Sequence, residues 1–266
     1  MNEEHILVTD QKEHIGTIVF NRPGRRNALS PELLAKVHLT LREWAAEDNV
    51  RAVVITGGAG NIFSSGYDIA AIPTDLTPEI AQILKNSNPL ELALNGVRNY
   101  PYPTIAMIGG DVFGAGLNLA MCCDIRIGVD TMRAGMPPSR LGLVYHPEGI
   151  RQFVEVLGMA RAREVFFAAR NYRGQDALAM GLVDHIVPAA QLESVTYELA
   201  RDIASRAPLS LKGMKRIFNM FGDTVVLSDE QVAEAERLIM EAFNSDDLKE
   251  GQAAFFEKRK PKFTGR

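Results

Sequence analysis

The sequence predicts an α/β core followed by a helical region. Three observations carry this. Apolar runs of the kind buried on both faces of a parallel sheet occur at residues 51–56 and 104–108. Segments with apolar residues at helical spacing alternate with them. From about Gly149 onward helical periodicity dominates, broken by one strand expected at residues 183–187. The core is accordingly expected over residues 1–207 and the helical region over 208–266.

The elements follow in order. Residues 15–20 read as a short strand, and Asn21-Arg-Pro-Gly24 as a turn. Ser30-Pro31-Glu32 opens a helix with a capping hydroxyl, a proline at the first helical position and an early acid. Leu33, Leu34, Val37, Leu41, Trp44 and Ala45 mark its apolar face. Residues 114–123 read as a helix entered through small residues, and 125–127 as a strand. Ser228-x-x-Gln231 has the form of a capping box, and Ser245 caps a last helix carrying Leu248 and Phe255. Residues 73–89, where proline, threonine and asparagine interrupt any pattern, are expected to be disordered.

Composition bounds the function. The 266 residues are 46% hydrophobic and 23% charged, with a net charge of −4. No strong positive field exists to hold nucleic acid or anionic lipid. The two cysteines, Cys122 and Cys123, are adjacent and offer neither a loop-closing disulfide nor metal-ligand spacing. No secretory or transit segment and no membrane span is legible, so a cytoplasmic protein is expected, with no metal and no membrane partner.

Two glycine-bearing segments carry the chemistry. One runs from Thr56-Gly-Gly through Phe63-Ser-Ser65-Gly66-Tyr67-Asp68-Ile69, and the other is Gly109-Gly-Asp-Val-Phe-Gly114-Ala115-Gly116-Leu-Asn118. Small residues let a ligand approach the backbone, and amides at a helix start point at negative charge. Two such amides converging on one point would form an oxyanion hole. Tight helix–strand packing is the bland reading of either segment alone. Neither is a dinucleotide fingerprint or a P-loop.

Together these segments resemble the crotonase (enoyl-CoA hydratase/isomerase) superfamily. The resemblance adds Asn21-Arg-Pro, Asn27-Ala-Leu29, Met121-Cys-Cys-Asp124, Gly181-Leu-Val183 and the closing Ala-Phe-Phe-Glu-Lys-Arg-Lys-Pro, and so covers nearly the whole chain. It implies a spiral of ββα turns, a helical trimerisation region giving a trimer or a dimer of trimers, and an acyl-CoA thioester as ligand with no further cofactor. It also implies that the backbone N–H groups of Tyr67 and Ala115 form the oxyanion hole.

The same resemblance assigns the coenzyme A contacts. Arg25, Arg26 and Ala28, with Ser65, Gly66, Asp68 and Ile69, belong to segments that line the nucleotide and pantetheine in relatives, and Lys258 and Lys260 to a C-terminal helix that can reach a phosphate. Each basic residue also has an ordinary solvated reading.

The departures from the family pattern are informative. Hydratases carry two water-activating glutamates, which would fall at Asn118 and at Pro138 in Met136-Pro-Pro-Ser-Arg-Leu-Gly142. An amide and a proline cannot take a proton at neutral pH. A third position falls in Leu143-Val-Tyr145-His146-Pro-Glu148-Gly149, which offers a phenol, an imidazole and a carboxylate. The methylmalonyl-CoA decarboxylase-like branch looks most similar, through Tyr145, Gly149-Ile150 and the C-terminus, although it often has histidine where this chain has Tyr67.

Physical chemistry points the same way. Decarboxylation of a malonyl-type thioester needs an electron sink and no activated water, and a nearby glutamate would repel the substrate carboxylate by several kcal/mol, roughly 4 at ~4 Å and an effective dielectric of ~20. On this reading Asn118 orients the leaving carboxylate, and Tyr145 with His146 manages the proton. Rival readings are a hydratase, isomerase or C–C hydrolase using His146 and Glu148, and a non-catalytic acyl-CoA-binding protein. Bland alternatives stand beside each residue: His146 as a loop histidine, Tyr145 as packing, Glu148 as an N-terminal helix acid, Asn118 bonded to a neighbouring loop, Asp68 fixing the Gly66 turn and Asp124 a structural acceptor. Residues 71–95 are expected to shape the acyl pocket.

Overall fold

Strand β3 (Ala52–Thr56) is buried at all five positions, as its unbroken apolar and β-branched run requires of a strand covered on both faces. It lies inside a six-stranded sheet ordered β1-β2-β3-β5-β7-β10 in the computed structural model, which describes residues 6–58, 60, 62–71 and 88–266. The members are β1 (Leu7–Lys12), β2 (Ile15–Phe20), β5 (Thr104–Ile108), β7 (Ile125–Val129) and β10 (His185–Val187). Within this sheet, among the described residues, only the β1–β2 pair is antiparallel. A second sheet is ordered β4-β6-β8-β9, from β4 (Ile62–Ser64), β6 (Asp111–Phe113), β8 (Arg133–Gly135) and β9 (Tyr172–Arg173). From β3 to β8 the chain alternates between the sheets, one strand to each, which is the spiral of ββα turns expected from the sequence.

Helix α1 (Pro31–Glu47) begins where the sequence places it. The Ser30 hydroxyl accepts from the Leu33 amide, and Leu33, Leu34, Val37, Leu41 and Trp44 are buried. It packs against α2 (Pro89–Arg98), whose N-cap is Asn88. Helix α3 (Ala115–Met121) is buried along its whole length, and α4 (Pro147–Ala168) is broken at Gly158, where φ is +73°. Short α5 (Gly174–Met180) precedes β10, and α6 (Leu192–Ala204) lies across the larger sheet with Thr196, Ala200 and Ala204 buried.

Three helices close the chain. Helix α7 (Pro208–Gly222) is pinned by Lys215, whose Nζ donates to Asp124 Oδ2 at 2.6 Å and to the Tyr102 carbonyl at 2.9 Å. Asp124 also accepts from the amide and hydroxyl of Thr104, the structural role read for it in the sequence. Helix α8 (Asp229–Phe243) carries the expected Ser228–Gln231 capping box, and α9 (Asp246–Phe256) is capped by Ser245.

Several expectations change. Strand β1 was not legible, because Val8 to Lys12 are exposed and carry no apolar alternation. Strands β4, β6, β8 and β9 are two or three residues long, too short to show a period. The strand expected over 183–187 occupies only His185–Val187. The stretch 73–89 expected to be disordered lies, up to residue 87, outside the described residues, as does most of the expected acyl-pocket segment 71–95; its end is the capped helix α2. Among the described residues no helix is long and apolar enough to cross a membrane.

Candidate active site

The first glycine-bearing segment is stitched to the loop before α1. The Ser65 amide donates to the Arg26 carbonyl, the Leu29 amide to that of Gly66 at 2.8 Å, and the Asp68 amide to that of Leu29 at 3.0 Å. Ser64 reinforces the junction: its buried hydroxyl donates to the Asn27 carbonyl and accepts from the Gly66 amide. Asn27 is itself fixed, accepting from the Arg22 amide and donating to the carbonyls of Gly57 and Ile62. Asp68 pairs with Arg22 at 3.3 Å, and Arg22 also donates to the Ala28 carbonyl. Asp68 therefore anchors the 22–28 loop through its side chain rather than the Gly66 turn.

The second segment meets the first at Gly66. Gly66 has φ +103°, and a methyl group there would stand 3.0 Å from the Phe113 carbonyl oxygen and 3.6 Å from the Ala115 nitrogen. Only glycine suits both the conformation and the approach. Gly114, with φ +51°, turns the chain into α3, where Ala115 is the first helical residue. Among the described hydrogen bonds none uses the amide of Tyr67 or of Ala115; the Leu29–Tyr67 bridge engages the amides of Leu29 and Asp68 instead. Two unpaired donors thus flank the Gly66–Ala115 contact. Burial, with Asp68 beside it, raises the Tyr67 phenol pKa.

One turn further along α3, Asn118 is wholly buried. Its Oδ1 accepts from the Tyr145 hydroxyl at 2.9 Å, and its Nδ2 donates to Gln152 Oε1 at 2.6 Å and faces Cys122 Sγ at 3.8 Å. The Asn118 side chain is thus bonded to the Tyr145 loop on one side and to α4 on the other. Tyr145 also stacks obliquely on Phe166, and burial pushes its phenol pKa well up. Gly149 permits this closeness, since a methyl group there would meet the Tyr145 ring at 2.4 Å and Asn118 Oδ1 at 2.8 Å. Burial likewise raises the Cys122 thiol pKa and brings that of Cys123 up to about 12.

Next to Tyr145, His146 Nδ1 lies 2.9 Å from the Glu91 carboxylate of α2. Glu148 does not join them. It pairs with Arg151 through both carboxylate oxygens, and that hydrogen bonding outweighs burial to hold its pKa below the ordinary carboxylate value. The expectation of a His146/Glu148 acid–base couple is therefore replaced by His146 with Glu91. Glu148 also lines a cavity of about 950 Å³ with Arg98, Arg151, Lys215, Asn219 and Asp223. Its cations are balanced: Arg98 pairs with Glu155 and Asp223, Arg151 with Glu148 and Glu155, and Lys215 with Asp124.

The remaining expected residues separate into two groups. Arg25, Arg26, Ala28, Ser65, Gly66, Asp68 and Ile69 sit together on the 22–29 and 64–71 segments, with Arg26 exposed and 3.4 Å from Asp111. Lys258 and Lys260 lie exposed beyond α9, in a strap latched to α9 by Arg259–Glu250 and by Asp247 accepting from the Thr264 and Gly265 amides. No described contact brings them to the 22–29 loop. Pro138 opens a short 3-10 turn and supplies no acid. Sequence reasoning missed Gln152 and Glu91. The signal for Gln152 was available: a lone amide on the apolar face that carries Phe153 and Leu157. Glu91 carries none.

Comparison with known proteins is consistent across methods. Residues 10–266 match the family model described as enoyl-CoA hydratase/isomerase. Methylmalonyl-CoA decarboxylase of Escherichia coli (strain K12) is 28% identical over 94% of this chain and 95% of its own. The short-chain-enoyl-CoA hydratase of Clostridium acetobutylicum is 29% identical over 96% and 95%. The crystal structure of a methylmalonyl-CoA decarboxylase complexed with 2S-carboxypropyl CoA superposes with a TM-score of 0.91 at 26% identity, covering all of both chains.

Proposed function

The chain belongs to the enoyl-CoA hydratase/isomerase family, and from that premise we propose that it decarboxylates a malonyl-type CoA thioester through an enolate. Overall identity favours neither decarboxylases nor hydratases, at 28% and 29%. The observation that carries the reading is local. At the two positions where hydratases keep their acids stand Asn118, wholly buried and bonded to Tyr145 and Gln152, and Pro138. A water squeezed between those groups has no base to take its proton.

The unpaired amides of Tyr67 and Ala115 suit the complementary task. When the bond from the α-carbon to the carboxylate breaks, carbon dioxide leaves and the bonding pair moves onto the thioester oxygen. Two N–H donors aimed at that oxygen stabilise the charge where it develops. The enolate carbon then takes one proton to give the shortened acyl-CoA. The half-buried Tyr145 phenol, its pKa raised, stays neutral, so it holds the proton donor, a water or His146, rather than ending as phenolate. These steps call for no metal and no cofactor beyond the substrate's own coenzyme A, whose nucleotide is assigned to the loop carrying Arg25, Arg26 and Ala28.

A homo-oligomer belongs to the same proposal. Leu209, Phe218 and Phe221 on α7 are 84%, 70% and 70% exposed, a patch that suits a subunit interface.

One observation favours a second reading. The His146–Glu91 pair is an imidazole–carboxylate couple beside Tyr145, suited to acid–base chemistry in an isomerase or C–C hydrolase.

The test is a thioester panel. With purified protein, methylmalonyl-CoA or malonyl-CoA is expected to release carbon dioxide and leave propionyl-CoA or acetyl-CoA, with crotonyl-CoA hydrated slowly or not at all. Rapid crotonyl-CoA hydration with the malonyl-type esters untouched overturns the proposal, and a reaction lost in His146→Ala and Glu91→Gln with a bell-shaped pH profile favours the second reading.

A further inference from the structure

We propose that Gln152 is a positioning residue that sets the direction of the Tyr145 hydroxyl, acting through Asn118 and itself oriented by Glu148. Two hydrogen bonds form one chain, Tyr145 Oη to Asn118 Oδ1 at 2.9 Å and Asn118 Nδ2 to Gln152 Oε1 at 2.6 Å, and Gln152 follows Glu148 by one turn of the same helix.

Each side-chain amide has a donor end and an acceptor end, and a phenol can turn either way. Such a chain has two self-consistent polarities. In one, the tyrosine donates inward and Gln152 Nε2 faces Glu148. In the other, both amides are reversed, Asn118 donates to the phenol oxygen, and Gln152 Oε1 faces Glu148. An ionised carboxylate only accepts. The second polarity therefore sets the buried Gln152 amide oxygen against an anion, and the two repel.

Glu148 is held as that anion by Arg151, which donates to both its oxygens. The Gln152 amide is among the groups that favour its charged form. Gln152 itself is only 2% exposed, and its Nε2 makes no hydrogen bond of normal geometry among the described residues. A buried donor left this way is costly unless a charge compensates it, and Glu148 is the nearby charge.

The consequence reaches the reaction centre. With its proton committed to Asn118, the Tyr145 oxygen can only accept from the other side. It holds a proton donor for the enolate and does not compete with the Tyr67 and Ala115 amides for the thioester oxygen. This role in turnover rests on the decarboxylase reading; the polarity of the chain does not.

Two measurements separate them. Neutron diffraction from deuterated wild-type crystals needs no substrate, and is expected to place the Tyr145 deuteron toward Asn118 Oδ1 and an Asn118 Nδ2 deuteron toward Gln152. Reversed amides overturn the proposal. In turnover, Glu148→Gln is expected to lower kcat about tenfold with KM within about twofold. Adding Gln152→Glu to that variant restores kcat to within about threefold, since a carboxylate at 152 can only accept from Asn118. Wild-type kcat in Glu148→Gln, or no recovery in the double variant at equal thermal stability, also overturns it. Deuterons where expected with no thioester turned over overturn the decarboxylase reading alone.

Discussion

The Tyr145 hydroxyl donates to Asn118 Oδ1 at 2.9 Å, joining the loop before α4 to the helix that begins at Ala115. Removing it strands a fully buried acceptor. Tyr145→Phe is therefore expected to destabilise the protein by about 1–3 kcal/mol in urea titration. It is also expected to lower kcat by about 10²-fold with little change in KM, because the proton donor loses its holder while the thioester keeps its contacts. Unchanged kcat removes Tyr145 from the chemistry.

The proposed electron sink can be tested without cutting a side chain. Ala115 is the first residue of α3, and proline is tolerated at that helical position because the N–H has no intrahelical partner. Ala115→Pro deletes the donor itself. The expected result is a loss of about 10²–10³-fold in kcat, with a circular dichroism spectrum like that of wild type. Retained activity means the Ala115 amide does not hold the oxyanion.

The contrast between these two residues shows what was legible in the sequence. The close approach of the two glycine-bearing segments was readable because backbone meeting backbone needs glycine and small residues, and Gly66, Gly114 and Gly116 announce it in one dimension. The long buried strands and the Ser30, Ser228 and Ser245 caps were readable because each is a local rule. Asn118 was found as a departure, but its direction was not. Whether an amide faces substrate or protein depends on Gln152, 34 residues away, and on Tyr145. Glu91 was invisible for the same reason: it pairs with His146 across 55 positions, and no periodicity encodes such a meeting. Strands of two or three residues take their conformation from the neighbouring strand, so their own residues show nothing.

Cys122 and Cys123 are both free and buried, and burial raises both thiols, Cys123 to about 12. Thiolate is the reactive species. Native protein at pH 8 is expected to resist a thiol reagent such as DTNB, and to release two equivalents once denatured. Fast labelling of one thiol in the native state contradicts the packing of α3.

Glu148 gives a pH dependence of defined sign. Its folded pKa lies below the ordinary value of 4.5, chiefly through Arg151. A depressed carboxylate contributes stability that is fully present above its unfolded pKa and is lost as pH falls through the folded one. Glu148→Gln is thus expected to cost stability at pH 7, and the difference from wild type is expected to shrink once pH drops below about 4.5. Urea titrations at pH 7, 5 and 3 measure it. A difference that is constant with pH means the Arg151 pair does not shift this carboxyl.

Helix α7 has two faces with opposite demands. One is fastened to the body by Lys215 on Asp124, by Asn219 exchanging hydrogen bonds with Arg98, and by Arg151 donating to the Gly222 carbonyl. The other leaves Met214, Ile217, Phe218 and Phe221 at 49%, 53%, 70% and 70% exposure, spaced three and four apart, so that they form one stripe. Polar fastening fixes the helix in a single orientation, and that fixes the stripe as a continuous apolar surface. A monomer would gain by burying it, at about 25 cal/mol per Å² of apolar area. Sedimentation of the wild type at micromolar concentration is therefore expected to show a trimer or hexamer. Phe218→Asp with Phe221→Asp is expected to give monomers of unchanged helical content, since neither side chain contributes to the fastened face. A wild-type monomer would leave α7 without the partner proposed for it.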